Sequence, residues 1–92
     1  MKREDAEILG LLLLTYIAGN EDLFSRFQAL SGLDTASLKE RANCSETLAG
    51  IMDFVMAEEK AIEDFCTKNN ISNETLIEAR NLLPAGANPH WT

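Results

Sequence analysis

Apolar residues recur along this chain at helical spacing as far as about residue 83, and no stretch alternates polarity as a half-buried strand does. The first block, Ile8, Leu9, Leu11, Leu12, Leu13, Leu14, Tyr16 and Ile17, places apolar side chains on almost every face. Such a helix belongs at the centre of a small bundle or against a partner. It is expected to begin near Arg3 to Glu4, where carboxylates suit the positive end of the helix dipole, and to end at Gly19-Asn20. A second helix over about Glu21 to Leu30 would bury Leu23, Phe24, Phe27 and Leu30. A third starts behind an Asp34 cap and fades by Ala42-Asn43. Ser45 is the expected cap of a fourth, in which Leu48, Ile51, Met52, Val55 and Met56 recur at i, i+3, i+4, i+7 and i+8 as a one-sided stripe. Phe54 departs from that stripe. A fifth helix would bury Ala61, Ile62, Phe65 and Cys66 and end at Asn69-Asn70. A sixth follows Ser72, carries Leu76, Ala79, Leu82 and Leu83, and stops at Pro84, because proline disfavours a helical residue before it.

The pattern repeats at an offset of 38 residues. Gly32 and Asn70, the residue types that best tolerate the left-handed end of a helix, fall at matching places. So do the caps Asp34 and Ser72, and the pairs Leu33 with Leu38 and Ile71 with Leu76, each spaced to close a hydrophobic staple. One boundary escapes the match. Copy one breaks at Gly19-Asn20, whereas the equivalent Ala57-Glu58 holds no helix breaker, so a break or kink near Ala57 is expected, with one long bent helix as the alternative. The expected fold is all-α: a compact bundle of five or six short helices in two pseudo-repeated three-helix halves, a single domain over residues 1–83 followed by a tail over residues 84–92.

Ninety-two residues suffice to bury roughly 60 to 70% of the unfolded chain's surface without help from a metal or disulfide. The net charge of −7 is spread evenly, with five positive and eight negative residues up to Glu46 and three and seven from Thr47 onward. An acidic surface disfavours nucleic acid and anionic lipid and favours basic partners. The run from Ile8 to Ala18 reaches only ~17 Å as a helix, short of a hydrocarbon core of ~30 Å, so no membrane span is expected. Its flanks also fit a signal peptide poorly. Cys44 and Cys66 fall at different places in the two copies and form no repeated ligand or disulfide pattern, which suits a reducing, cytoplasmic setting.

Several segments together resemble a known family. The opening Lys2-Arg3-Glu4-Asp5-Ala6-Glu7, the stretch from Phe27 to Gly32-Leu33-Asp34, Asp53-Phe54 and the Phe65-Cys66 pair are similar to the small alphaproteobacterial domain-of-unknown-function family 3572, over residues 2 to about 84. The resemblance implies no activity and no functional residues. This chain departs from it near Ala57, where an acidic helix cap is expected, and at Lys60 to Glu63, where a more apolar stretch is expected.

Candidate chemistry is sparse. His90 stands in the tail with no packed frame to hold it against a nucleophile or metal, so no catalytic residue and no enzyme activity is expected. Cys66 shares the stripe of Ile62 and Phe65 and reads as a small buried apolar group, while Cys44 lies in a turn without a basic cluster. Asp53, Glu58, Glu59, Glu63 and Asp64 make a dense acidic region. Without histidine or calcium-loop spacing it reads as a solvated face or a dock for a basic partner, and no metal or cofactor is expected. The leading functional expectation is a protein-interaction domain, an adaptor or regulator using an apolar groove around the first and fourth helices, with homodimerisation as one form of it. Tyr16, Met52, Met56 and Trp91 are its candidate anchors. The rival expectation is a helix-turn-helix DNA reader with recognition helices starting near Thr35 and Asn73. Glu40, Glu74 and Glu78 on those helices oppose it.

Overall fold

Residues 1–83 are described by a computed structural model of the chain, and they form six α-helices: α1 (Arg3–Ala18), α2 (Glu21–Ser31), α3 (Thr35–Arg41), α4 (Ser45–Met56), α5 (Glu59–Asn69) and α6 (Asn73–Leu82). No strand occurs among the described residues. The fold is all-α, as the periodicity predicts.

Cap chemistry sets most of the boundaries. Asn20, Asp34 and Ser72 each accept a hydrogen bond from the backbone N–H three residues on, at 3.3, 2.8 and 3.1 Å, and so satisfy one of the N–H groups that the first turn of a helix leaves open. Gly32 and Asn70 end α2 and α5 in the left-handed region, at φ 73° and 53°. The bounds of α2 and α5 therefore differ by 38 residues at both ends. The packing does not repeat in the same way. α1 lies against α4, α6 and α2; α4, its counterpart, lies against α1, α5 and α6 and makes no comparable contact with α3.

The fourth and fifth helices are separate. Glu58 and Glu59 stand three and four residues beyond the buried Val55, where a continuing helix would carry their carboxylates into the core. The chain turns instead, through Ala57 N–H to the Asp53 carbonyl and Glu58 N–H to that of Val55. The N-cap of α5, next to Ala57, is the acidic Glu58, whose side chain makes no capping bond. Ser45 is a correction. Cys44 occupies the N-cap of α4, and Ser45, the first helical residue, donates its hydroxyl to Glu7 of α1.

One contiguous core fills the centre. Phe27, Phe65, Leu13, Ile17, Leu48, Ile51, Met52, Leu76 and Val55 are fully buried, drawn from every helix except α3, which adds Leu38. At the α1–α4 crossing Gly10 is buried against Leu48, whose Cβ would lie 2.9 Å from any Cβ added there. The Cα radius of gyration is 12.0 Å, matching the ~12 Å of a folded domain of this length. No single helix is long and apolar enough to cross a membrane.

The burial expected for some residues is corrected. Leu30 is 56% exposed and Leu82 is at the surface, while Cys66 is half-buried. α1 is not surrounded: Ile8, Leu11 and Leu12 form an exposed apolar stripe at i, i+3 and i+4.

Candidate interaction site

Helical spacing places Gly50, Asp53, Phe54 and Ala57 on one face of α4 and its C-terminal turn, at i, i+3, i+4 and i+7. Phe27, Leu30 and Ser31 stand on the last turns of α2. Between them lies a half-open cleft of about 430 Å³, predominantly apolar, with Glu58 also in its lining. Phe27 and Phe54 meet edge to face in its wall, ring centroids 5.3 Å apart, a geometry that the ring quadrupoles favour. Gly50 leaves the wall of α4 without a side chain at that point.

Two carboxylates mark the rim. Asp53 accepts two bonds from the Arg80 guanidinium, 2.7 Å from Nε and 3.0 Å from Nη2, which ties the cleft to the last turn of α6. Glu58 pairs with Arg26 of α2, which also reaches Asp22 at 3.5 Å. A second depression, of about 560 Å³ and about half polar, lies between the α1–α2 corner and the start of α5, bordered by Tyr16, Asn20, Arg26, Glu58, Lys60 and Asp64.

The anchors expected from sequence separate on the structure. Met52 is fully buried and is corrected from an anchor to a core residue, because the i+4 position from Leu48 turns it into the α1–α4 interface. Met56 is half-buried against the core. Trp91 and His90 lie outside the described residues. Where sequence led to a groove around α1 and α4, those two helices pack on each other, and the cleft described above lies on the α2 side of α4.

Tyr16 is held on several sides. Its hydroxyl donates to Asp64 Oδ2 at 2.7 Å, its ring meets Phe65 edge-on at 5.7 Å, and Lys68 Nζ, itself 3.2 Å from Asp64, lies 5.7 Å from the ring centroid. Desolvation by burial, then the Asp64 hydrogen bond and charge, push the phenol up to about 12. Tyr16 is the only tyrosine, so absorbance titration of the folded protein should show phenolate forming near pH 12 instead of 10, and Asp64→Asn should lower that midpoint. The raised folded value means that this contribution to stability is full below pH 10 and is lost as pH rises toward 12. A midpoint near 10 in the native protein would show that the phenol is not held in this way.

The acidic region does not converge on a cation: among the described residues no group of three carboxylate, thiol or imidazole side chains is placed to hold a metal. The thiols diverge. Backbone N–H groups at the start of α4, that of Thr47 foremost, pull exposed Cys44 down, while burial pushes Cys66 up. Sequence reading missed Leu30 and Phe54 as cleft residues. The signal was present in Phe54, the one large apolar residue of the fourth helix off its buried stripe.

No curated protein and no solved structure matches the chain. A family model described as "Protein of unknown function (DUF3572)" matches residues 3–86, all six helices included. The chain therefore belongs to the DUF3572 family of proteins of unknown function.

Proposed function

We propose that this domain is a protein-interaction module that takes an apolar, basic-flanked segment of another protein into the cleft between α2 and α4. The observation that carries the reading is the cleft itself, with Phe27, Leu30, Phe54 and Ala57 lining it and Asp53 and Glu58 at its rim. Leu30 is a large apolar side chain left 56% exposed beside an aromatic wall, the arrangement in which a partner's apolar anchor removes most surface from water. The net charge of −7 favours encounter with a basic partner, and two free thiols suit a reducing cytoplasm. DNA reading draws less support. Exposed Glu40, Glu74 and Glu78 stand on α3 and α6 and would face phosphates, while Arg80 is engaged by Asp53.

Leu30→Glu should leave the fold intact, since the side chain is exposed, and should weaken partner binding by about tenfold or more, the effect of losing a central apolar anchor. The measurement is co-purification at native abundance with wild type, Leu30→Glu and Ile8→Glu in parallel. A stoichiometric protein retained by wild type and Ile8→Glu and lost from Leu30→Glu supports the cleft. A partner lost only from Ile8→Glu would move the interface to α1, and no stoichiometric protein at all would remove the reading.

A further inference from the structure

The cleft has a candidate occupant in the same chain. α6 ends at Leu82, and the buried Leu83 continues in extended backbone at φ −94° and ψ 160°. One turn earlier Arg80 grips Asp53 on the cleft rim. The last turn of α6 thus stands within one side chain's length of the cleft-lining Asp53. The residues that follow, Pro84 to Thr92, contain no Asp, Glu, Lys or Arg and carry the sole tryptophan, Trp91. Eight residues of extended chain span up to ~26 Å, comparable with the 29 Å longest dimension of the molecule, so the tail is long enough for Trp91 to reach the cleft. An indole offers the largest apolar face in the chain to the aromatic wall of Phe27 and Phe54. An indole seated there would bring His90, next to it in sequence, toward the carboxylates of Asp53 and Glu58.

Resting on the docking reading of this cleft, we propose that residues 84–92 fold back so that the indole of Trp91 occupies it, which makes the tail an internal ligand that a partner segment must displace. Tethering raises the effective concentration of the indole to the millimolar range, enough for weak contacts to occupy the site. Trp91 lies beyond residue 86, where the family match ends.

Trp91 is the only tryptophan, so intrinsic fluorescence reports on it alone. The full chain is compared with its Leu30→Glu, Ala57→Arg and Ile8→Glu variants at two dilutions, with circular dichroism confirming that each is folded. The expected result is blue-shifted emission, several-fold protected from acrylamide in wild type and Ile8→Glu at both dilutions, and released to solvent in both cleft variants. Solvent-like emission in wild type overturns the proposal, as does protection that only Ile8→Glu releases or that vanishes on dilution, which would place the indole on α1 or in a second copy. Failure here is separable from failure of the docking reading: an exposed Trp91 with a partner that depends on Leu30 sinks the latch alone, and a protected Trp91 released by the cleft variants with no such partner sinks the docking role alone.

Discussion

Replacing Phe65 by alanine is expected to remove about 3 to 5 kcal/mol of folding stability, the range for emptying a large aromatic site in a packed core. Phe65 is fully buried on α5, with Ala61 and Ile62 buried one turn before it. It also supplies the edge-on partner of Tyr16 at 5.7 Å, so the substitution removes an inter-helix aromatic contact together with the buried area. Domains of this size are stable by about 5 to 15 kcal/mol, so the variant would keep only part of that margin. At about 4 to 8 °C per kcal/mol the melting temperature should fall by at least about 12 °C. Urea denaturation followed by circular dichroism measures the loss directly. The Tyr16 phenol should also titrate closer to its ordinary value, since the cavity weakens the burial that raises it. A loss under about 1 kcal/mol would mean that α5 does not close the core in the way described.

Much of this architecture is legible in the sequence, for reasons that particular residues make plain. Gly32 and Asn70 mark the ends of α2 and α5, and Asp34 and Ser72 the starts of α3 and α6, because left-handed tolerance and N-cap hydrogen bonding are properties of single residues and their near neighbours. Ser45 misleads for the complementary reason. Its hydroxyl has the chemistry of a cap, but Glu7, thirty-eight positions away, takes it, and nothing local announces that partner. Leu30 misleads through coverage. It continues the stripe of Leu23 and Phe27, and whether a stripe is covered along its whole length depends on where α4 crosses it. The same limit applies to α1, whose apolar residues on nearly every face do not reveal that Ile8, Leu11 and Leu12 are the ones left outside. The cleft escaped sequence reading because it is a gap between two helices, and the periodicity of each helix alone says nothing of the space between them.

The spacing of α1 and α4 bears on that cleft as well as on the core, and Gly10→Leu is expected to disturb both. A Cβ at Gly10 would stand 2.9 Å from Leu48 Cβ, with Leu48 Cγ and Cδ2 at 3.4 and 3.3 Å. Leu48 is 1% exposed, and its Cβ is bonded directly to the backbone, so no change of rotamer relieves the contact. The helices must move apart. Alanine at position 10 gains up to about 1 kcal/mol of helix propensity over glycine, which offsets part of the clash and should leave Gly10→Ala destabilised by about 1 kcal/mol. Leucine adds three more carbons to a full interface and should cost about 3 kcal/mol or more. Gly19→Ala is the internal control: it lies at the other end of the same region with φ −83°, an added Cβ meets nothing closer than 3.6 Å, and its effect should stay within about 0.5 kcal/mol. Equilibrium denaturation of the three variants orders them, and Gly10→Leu as stable as Gly19→Ala would refute the close crossing. Ile51, Met52 and Val55 carry the buried face of α4 while Gly50, Asp53 and Phe54 line the cleft, so a shift of this helix away from α1 carries the cleft wall with it. On the proposed docking role of the cleft, partner binding should therefore fall in Gly10→Leu even in the fraction that stays folded, although Gly10 is not among the residues that line the cleft.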